Sequence, residues 1–285
     1  MASTSSPTVI RRRLAAELRR LRDQAGLTIE QVAAQLEWSN AKISRIENAR
    51  NGILPRDMRH LLRVYDIDPE SSEGQLMVTL ARESRTRGWW QQYGDAIPSW
   101  FELFVGLEEV AAGESSYDSE FVPGLLQTEA YARLILSFSA LLGGADDMER
   151  RVAVRMARKK LLDSDAQLWF VLNEAVLMRL VGGRPVMHEQ ISHLLSVSER
   201  PNVTLQVLPF DSGAHLAMGG SFSILTFPQA SDPQVAYIEY QTGALYREDE
   251  EEVRLYRLMM DHLRGDALSA DASRGLMARR RDELA

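Results

Sequence analysis

Residues 18–51 read LRRLRDQAGLTIEQVAAQLEWSNAKISRIENARN, and this stretch decides the fold of the first part of the chain. Thr28 and Gln31 form a Thr-x-x-Gln capping box, which marks the start of a helix. Ser39 is a second N-cap, and it opens another helix only three residues after Leu36. Two short helices joined by so tight a turn predict a helix-turn-helix.

Further helices are predicted on both sides of this pair. The segment 11–24 places leucines at positions 14, 18 and 21 on one face, and Pro55 suits the first turn of a helix that follows a polar turn. We therefore expect a four- to five-helix domain over residues 10–66. A disordered tail at 1–9 precedes it and a linker at 67–75 follows it.

The charge of the chain is unevenly distributed. The whole chain carries −7, but residues 11–63 contain eleven Arg and one Lys against six acidic residues. This segment is therefore +6, and the remainder is −13 because the total is −7. A basic domain attached to an acidic body is typical of a protein whose basic part meets phosphates.

The second helix of the pair, at residues 39–47, is the candidate reading helix. Ile43 and Ile46 occupy its buried positions, so the opposite side is free to meet the major groove. Arginine pairs with guanine, asparagine pairs with adenine, and small side chains fit beside the thymine methyl group. The predicted base-facing residues are Asn40, Ala41, Ser44 and Arg45.

Phosphate contacts are predicted around this helix. Arg22, Lys42 and Arg50 supply positive charge, and the capped helix start at Thr28 supplies backbone N–H groups. Ser39, at the start of the reading helix, is included in the same set.

The run AGLTIEQVAAQL followed by KISRIENAR resembles the phage-repressor-type, xenobiotic-response-element family of helix-turn-helix regulators over about 55 residues. The resemblance implies a repressor-like domain with the four base-facing residues named above. It also implies that Thr28, Lys42 and Asn48 lie near the DNA backbone. The chain departs from the family at Ile29, where many relatives have Gln, and at Glu37-Trp38, where most have Gly. Glu37 would repel phosphate, which argues against a direct contact from the turn.

The rest of the chain, residues 76–285, predicts an α+β domain, so the fold class is mainly α with an α+β second domain. The turns are too short for many parallel crossovers, so we expect a mostly antiparallel sheet of about five strands. The predicted strands are Ser119–Val122, Gln167–Glu174, Asn202–Phe210, Ser221–Phe227 and Gln234–Tyr240. The predicted helices are 75–87, 99–112, 128–142, 148–162, 185–199, 251–263 and 271–284.

Four segments of this second part also carry a resemblance. They resemble an antitoxin-like domain that commonly follows this kind of DNA-binding domain in actinobacterial regulators. The four segments are ARESRTRGWWQQYGD, FVPGLLQTEAYAR, NEAVLMRLVGG and NVTLQVLPFDSGAH. The resemblance implies a small partner protein encoded nearby, whose effect the regulator counters.

Catalytic and metal chemistry find little support in the sequence. The chain has no Cys, so disulfides, thiolate zinc sites and cysteine nucleophiles are excluded. His188 and His193 lie about 140° apart on a helix, which fits one metal ion poorly. No nucleotide-binding or hydrolase fingerprint is present. We expect no enzyme activity, no cofactor and no metal. His215, on a predicted loop, is a candidate ligand or partner contact, although a solvated or hydrogen-bonded loop histidine is the more common explanation.

The sequence thus predicts a sequence-specific transcriptional regulator. It would bind double-stranded DNA as a homodimer, and its second domain would sense a small molecule or a protein partner. The alternative is an antitoxin-like protein that sequesters a small partner and uses DNA binding for autoregulation. No signal peptide or membrane span is apparent, so a cytoplasmic, nucleoid-associated location is expected.

Overall fold

The computed structural model describes residues 7–49, 51–85, 88–94, 96–140, 147–229 and 232–285. The chain forms two compact units, Met1–Gln91 (unit 1) and Gln92–Ala285 (unit 2). Each unit has a hydrophobic core of its own.

Unit 1 is helical, as the sequence predicts. Leu14 and Leu18 of the first helix pack with Ile43 and Ile46 of the third, and this core holds the helix-turn-helix together. All of these side chains are at least 96% buried, so the predicted apolar stripes face inward. The helices are α1 Pro7–Gln24, α2 Ile29–Leu36, α3 Asn40–Glu47, α4 Pro55–Val64 and α5 Ser72–Glu83.

The boundaries of unit 1 differ from the predicted ones. Helix α5 packs on α1 and α4, and its Met77, Val78 and Ala81 join the core of unit 1. The segment predicted as a linker at 67–75 therefore includes the first turn of α5. Residues 1–6 of the predicted tail lie outside the described residues, but Val9 is already a buried residue of α1.

Unit 2 combines helices with one sheet. Its helices are α6 Ser99–Glu108, α7 Glu129–Ala140, α8 Met148–Arg158, α9 Ala175–Met178, α10 Gly183–Val197, α11 Glu250–Asp266 and α12 Ala270–Glu283. Its strands are β1 Gly113–Asp118, β2 Gln167–Asn173, β3 Val203–Leu208, β4 Phe222–Thr226, β5 Val235–Tyr240 and β6 Gly243–Arg247. Among the described residues of both units, no helix is long and apolar enough to cross a membrane.

The sheet corrects the predicted fold class. Its described part has six strands in the order β3-β2-β1-β4-β5-β6. Strand β1 pairs in parallel with β2, and β2 pairs in parallel with β3. The other three pairings are antiparallel. The sheet is therefore mixed, and the expectation of about five, mostly antiparallel strands was wrong.

Both errors have physical reasons. The connection from β1 to β2 runs through α7 and α8, and that from β2 to β3 runs through α9 and α10, so each is long enough for a parallel crossover. The predicted strand at 119–122 is instead a bend that follows β1. Strand β1 has the polar sequence GESSYD, which lacks the apolar alternation typical of a strand. Strand β6 was not predicted.

The two faces of the sheet are covered differently. The register places Leu168, Phe170 and Leu172 of β2 on one face, where they join the largest apolar core of unit 2. That core also contains residues of α10 and α12. On the opposite face, Tyr117 and Val171 pack with residues of α11. The residues of β1 on the first face are polar: Glu114, Ser116 and Asp118.

A buried ion pair joins the ends of two helices beside this sheet. Arg158, the last residue of α8, donates from Nε and Nη2 to the two carboxylate oxygens of Glu108, at 2.7 and 2.6 Å. The two side chains are only 6% and 3% exposed. A bidentate pair in this position satisfies both charges without water.

We expect the Glu108→Gln variant to lower the free energy of unfolding by about 3–5 kcal/mol, because it leaves the buried Arg158 without its counter-charge. The adjacent Glu109 is exposed, so Glu109→Gln is a matched control and should change it by less than about 0.5 kcal/mol. Urea denaturation followed by tryptophan fluorescence measures both. Equal effects of the two variants would show that the pair is dispensable.

Candidate DNA interface

Local capping interactions define the starts of α2 and α3 and the turn between them. Thr28 Oγ1 accepts from the backbone N–H of Gln31 at 3.3 Å, and Gln31 Oε1 accepts from the backbone N–H of Thr28 at 2.8 Å. Glu37 caps the C-terminal end of α2, and its φ of 55° lies in the left-handed region. Ser39 Oγ then accepts from the backbone N–H of Lys42 at 3.2 Å and caps α3. The predicted capping residues are therefore confirmed.

Helix α3 presents one side to solvent. Ile43 and Ile46 are 1% and 4% exposed and anchor the other side in the core. We use the term outward face for the four residues that point away from these isoleucines. Asn40, Ala41 and Arg45 of this face are exposed, whereas Ser44 is half-buried. Within the described part of the chain, the Arg45 side chain forms no hydrogen bond or ion pair, so its guanidinium is available to a ligand.

Asn48 fixes the end of α3 beside the outward face. Its Nδ2 donates to the Ser44 carbonyl oxygen at 2.8 Å and to Ser44 Oγ at 3.2 Å. Arg19 of α1 donates to Asn48 Oδ1 at 2.9 Å and to the Glu47 carbonyl oxygen at 3.1 Å. Sequence reasoning did not identify Arg19, because nothing in the order of residues links it to α3.

Lys42 is already paired within unit 1. Its Nζ donates to Asp57 Oδ2 at 2.9 Å and lies 3.3 Å from the centre of the Trp38 ring. The side chain remains 35% exposed, at the start of α3 and beside the start of α4. Trp38 also packs against the core of unit 1.

Arg22 has a structural position that its sequence context does not reveal. Its Nε donates to both carboxylate oxygens of Glu47, at 2.9 and 3.1 Å, and its Nη1 donates to the Leu27 carbonyl oxygen at 2.9 Å. The hydrogen bond to Glu47 raises the pKa of Arg22. Arg22 is 13% exposed and Glu47 only 3%, so this pair ties α1 to α3 inside the core.

The remaining predicted phosphate contacts lie at helix ends. Thr28 and Ser39 are exposed. The carboxylate of Glu30 accepts hydrogen bonds from its own backbone N–H and from the Thr28 hydroxyl, which lowers its pKa. A phosphate at the start of α2 would therefore have to displace this carboxylate. Arg50 lies outside the described residues.

Comparison with known families adds two matches. Residues 13–73 match a family described as a helix-turn-helix domain. Residues 101–279 match a family described as a domain of unknown function (DUF5753), which covers more than half of the chain. The chain belongs to the DUF5753 family. No curated protein and no solved structure gives a significant match.

The helix-turn-helix match supports a DNA-binding regulator. The description of the DUF5753 family names no activity, so the antitoxin-like character that the resemblance implied stays a prediction. In the described ranges of this DUF5753 chain, no group of three or more His, Cys, Asp or Glu residues is arranged to hold a metal ion.

His215 lies in unit 2, between β3 and β4. Its Nε2 is 3.3 Å from the Tyr117 hydroxyl, which also accepts from Asn173 Nδ2 at 3.3 Å. The two rings meet edge to face at a centroid distance of 5.3 Å. His215 Nδ1 is buried and has no hydrogen-bond partner among the described residues. The structure therefore places this residue half-buried against Tyr117, and a ligand or partner contact at His215 stays a prediction.

Sequence reasoning missed a group of charged residues in unit 2. Glu114 and Asp118 of β1, Arg155 of α8 and Glu239 of β5 interact electrostatically. They are spread over more than 120 positions of the sequence, and no short motif contains two of the three elements. Only the sheet register and the crossover helices bring them together.

We expect Arg22→Ala to destabilise unit 1 by about 3 kcal/mol, because it leaves the buried carboxylate of Glu47 without a partner. Arg20, a neighbour on α1, forms an exposed pair with Glu17, so Arg20→Ala should cost less than about 1 kcal/mol. Thermal unfolding of both variants tests this. If Arg22→Ala leaves the unfolding temperature unchanged but weakens DNA binding, the residue is a phosphate contact and not a structural one.

Proposed function

We propose that this chain is a sequence-specific transcriptional regulator that reads the major groove with α3. One observation carries the proposal: the exposed outward face of α3, whose Arg45 guanidinium has no partner in the described part of unit 1. The helix-turn-helix match and the +6 charge of residues 11–63 support the same function.

The outward face has suitable chemistry for reading bases. In this proposal Arg45 makes a bidentate contact with guanine, and Asn40 contacts adenine. Ala41 and Ser44 lie beside a thymine methyl group. The buried Ile43 and Ile46 keep α3 from rotating, so these side chains would enter the groove in a fixed orientation.

We select the proposed phosphate contacts by the exposure of their side chains. Thr28, Ser39, Lys42 and Asn48 remain proposed contacts because each is at least partly exposed at a helix end. Lys42 would exchange Asp57 for a phosphate. We do not retain Arg22, because its guanidinium is occupied by Glu47.

We further propose that the regulator acts as a homodimer and that unit 2 senses a ligand or a partner. A single small head buries only about 600–1,000 Å² on DNA, which is little for selective binding. A dimer would bind two half-sites about 10 base pairs apart, or a multiple of that distance. No observation favours sequestration of a partner protein over this function, so we do not propose it.

The experiment that tests this function is selection of bound sequences from random double-stranded DNA by the full chain. We expect a partly palindromic site, and we expect affinity to fall steeply with salt because phosphate contacts release counterions. Recovery of no enriched sequence, or binding that does not respond to salt, would overturn the proposal.

We expect Arg45→Ala to lose about 1–3 kcal/mol of binding free energy and to relax the preference at one base position in each half-site. Arg56 is 79% exposed on α4 and does not belong to the outward face, so Arg56→Ala is the control. The control should leave the base preference unchanged. Competition binding against single-base variants of the selected site measures both. An unaltered preference in Arg45→Ala removes this residue from base readout.

Glu37→Gly should have two separable effects. Glycine adopts the left-handed conformation at φ 55° without the strain that a Cβ atom causes there, which should stabilise unit 1 by about 0.5–1 kcal/mol. The variant also removes a negative charge from the turn before α3, so DNA affinity should rise at low salt. Ala49→Gly relieves a similar φ of 56° without a change of charge. Only Glu37→Gly should strengthen DNA binding, and an equal gain in both variants would refute the electrostatic part.

A further inference from the structure

Unit 2 carries a group of ionisable side chains that have no part in the proposed contacts with DNA. Glu114 and Asp118 lie on the same face of β1, because alternate residues of a strand share a face. The register continues this face across β4 to Tyr237 of β5, and Glu239 follows two residues later. Three carboxyl groups therefore share one part of the sheet. Between them the side chains are small: Ser116 and Ser223.

Arginines of α8 carry the opposite charge. Arg158 is neutralised by Glu108, as described above. Arg155 donates from Nη1 to the amide oxygen of Gln127 at 2.8 Å. Within the described residues Arg155 forms no ion pair with a carboxylate, although it interacts electrostatically with Glu239.

The acids also have only neutral partners. Asp118 Oδ2 accepts from the Ser116 hydroxyl at 2.7 Å, and Glu239 Oε2 accepts from the Tyr237 hydroxyl at 2.8 Å. Groups of opposite charge thus lie within electrostatic range of each other, and neutral side chains hold them apart. Direct contact would be expected if their only role were to stabilise the fold.

Glu114 lacks a hydrogen-bond partner that a buried carboxyl group normally has. It is 5% exposed, and its Oε2 has no hydrogen-bond partner among the described residues. Burial, together with the charge of Glu108, raises the pKa of Glu114 to about 8. A buried polar atom without a partner is costly and calls for an explanation. Exposure increases from buried Glu114 through half-buried Asp118 to exposed Glu239, so the group of carboxyls reaches the surface at Glu239.

We propose that these groups bind a small zwitterion of the amino acid class. Its ammonium group would lie between Asp118 and Glu239, and its carboxylate would accept from Arg155 and from Glu114. A purely anionic ligand would be repelled by carboxylates among the three carboxyl groups, and a purely cationic ligand would leave Arg155 without a carboxylate partner. A metal ion is disfavoured because no suitable ligand group occurs in the described chain. The inference rests on the sensing role proposed for unit 2 and gives that role a ligand.

Binding should be linked to protons. Burial raises the pKa of Asp118 to about 7, and a bound ammonium group would lower it again by favouring the ionised form. Binding near pH 7 should therefore release protons, and affinity should increase from pH 6 to pH 7 and stop increasing near pH 8, where Glu114 loses the proton that it donates to the ligand. The titratable groups that interact with Asp118 are Glu114 and Tyr117 on β1, Tyr131 on α7 and Glu239 on β5. Glu239 in turn interacts with Arg155 of α8, which also interacts with Arg151 and Arg158 of α8 and with Glu108 of α6.

The test is isothermal titration of the full chain, without DNA, with each of the twenty protein L-amino acids. We expect saturable binding of one or a few of them, with an enthalpy that depends on the ionisation heat of the buffer. The matching amine without a carboxylate, and the matching acid without an amine, should bind about thirtyfold more weakly or worse. Absence of saturable binding by all twenty overturns the proposal.

Variants separate binding from a structural role. Asp118→Asn and Arg155→Gln should each weaken binding by about thirtyfold or more. Asp165→Asn, an exposed acid of the same unit, is the control and should bind normally. Without ligand, Asp118→Asn should unfold at the same or a higher temperature, because the surroundings of Asp118 disfavour the charge that the substitution removes. A lower unfolding temperature together with unchanged affinity would show that the residue is structural and overturn the assignment.

This test does not depend on DNA binding. If the amino acid binds but does not change affinity for the selected DNA, the site stands and the sensing role fails. If DNA binds and no amino acid does, the site fails and the DNA-reading function stands.

Discussion

The buried ion pair between Arg22 and Glu47 is the interaction on which the proposed reading head depends. It joins the end of α1 to the end of α3, and the same arginine also holds the Leu27 carbonyl oxygen just before α2 begins. The Arg22 guanidinium therefore links α1, the residue before α2, and α3. The isoleucines of α3 supply the apolar contacts, but these are non-directional. The ion pair adds direction, and together with the buried isoleucines it fixes which side of α3 faces solvent.

Much of unit 1 could be predicted, because its signals are local. Capping at Thr28 and Ser39 and the apolar stripes lie within a few residues of the structures they specify. The partners of Arg22 and Lys42 could not be predicted, since Glu47 and Asp57 lie 25 and 15 positions away. An arginine beside a helix-turn-helix has the same sequence context whether it meets a phosphate or a buried carboxylate.

Prediction failed in unit 2 where a strand was polar. β1 was missed because Glu114, Ser116 and Asp118 replace the apolar residues that normally mark the inner face of a strand. The polar group that misled the prediction is the same one that has an unpartnered carboxyl and separated charges. Local rules of sequence reading are expected to fail at sites where function takes precedence over stability. The acidic excess outside the head is thus partly buried, and not only a solvated surface.

The position of β1 has a consequence for how the chain acquires its structure. This strand lies between β2 and β4, and its antiparallel partner residues at 222–226 are about 110 positions further along. Unit 1, in contrast, is closed by contacts within its first 91 residues. Long-range strand pairing is slow, whereas local helical contacts form quickly. During synthesis, unit 1 can therefore fold long before the sheet of unit 2 can close, and in that interval the edge of β1 that later meets β4 is unpaired.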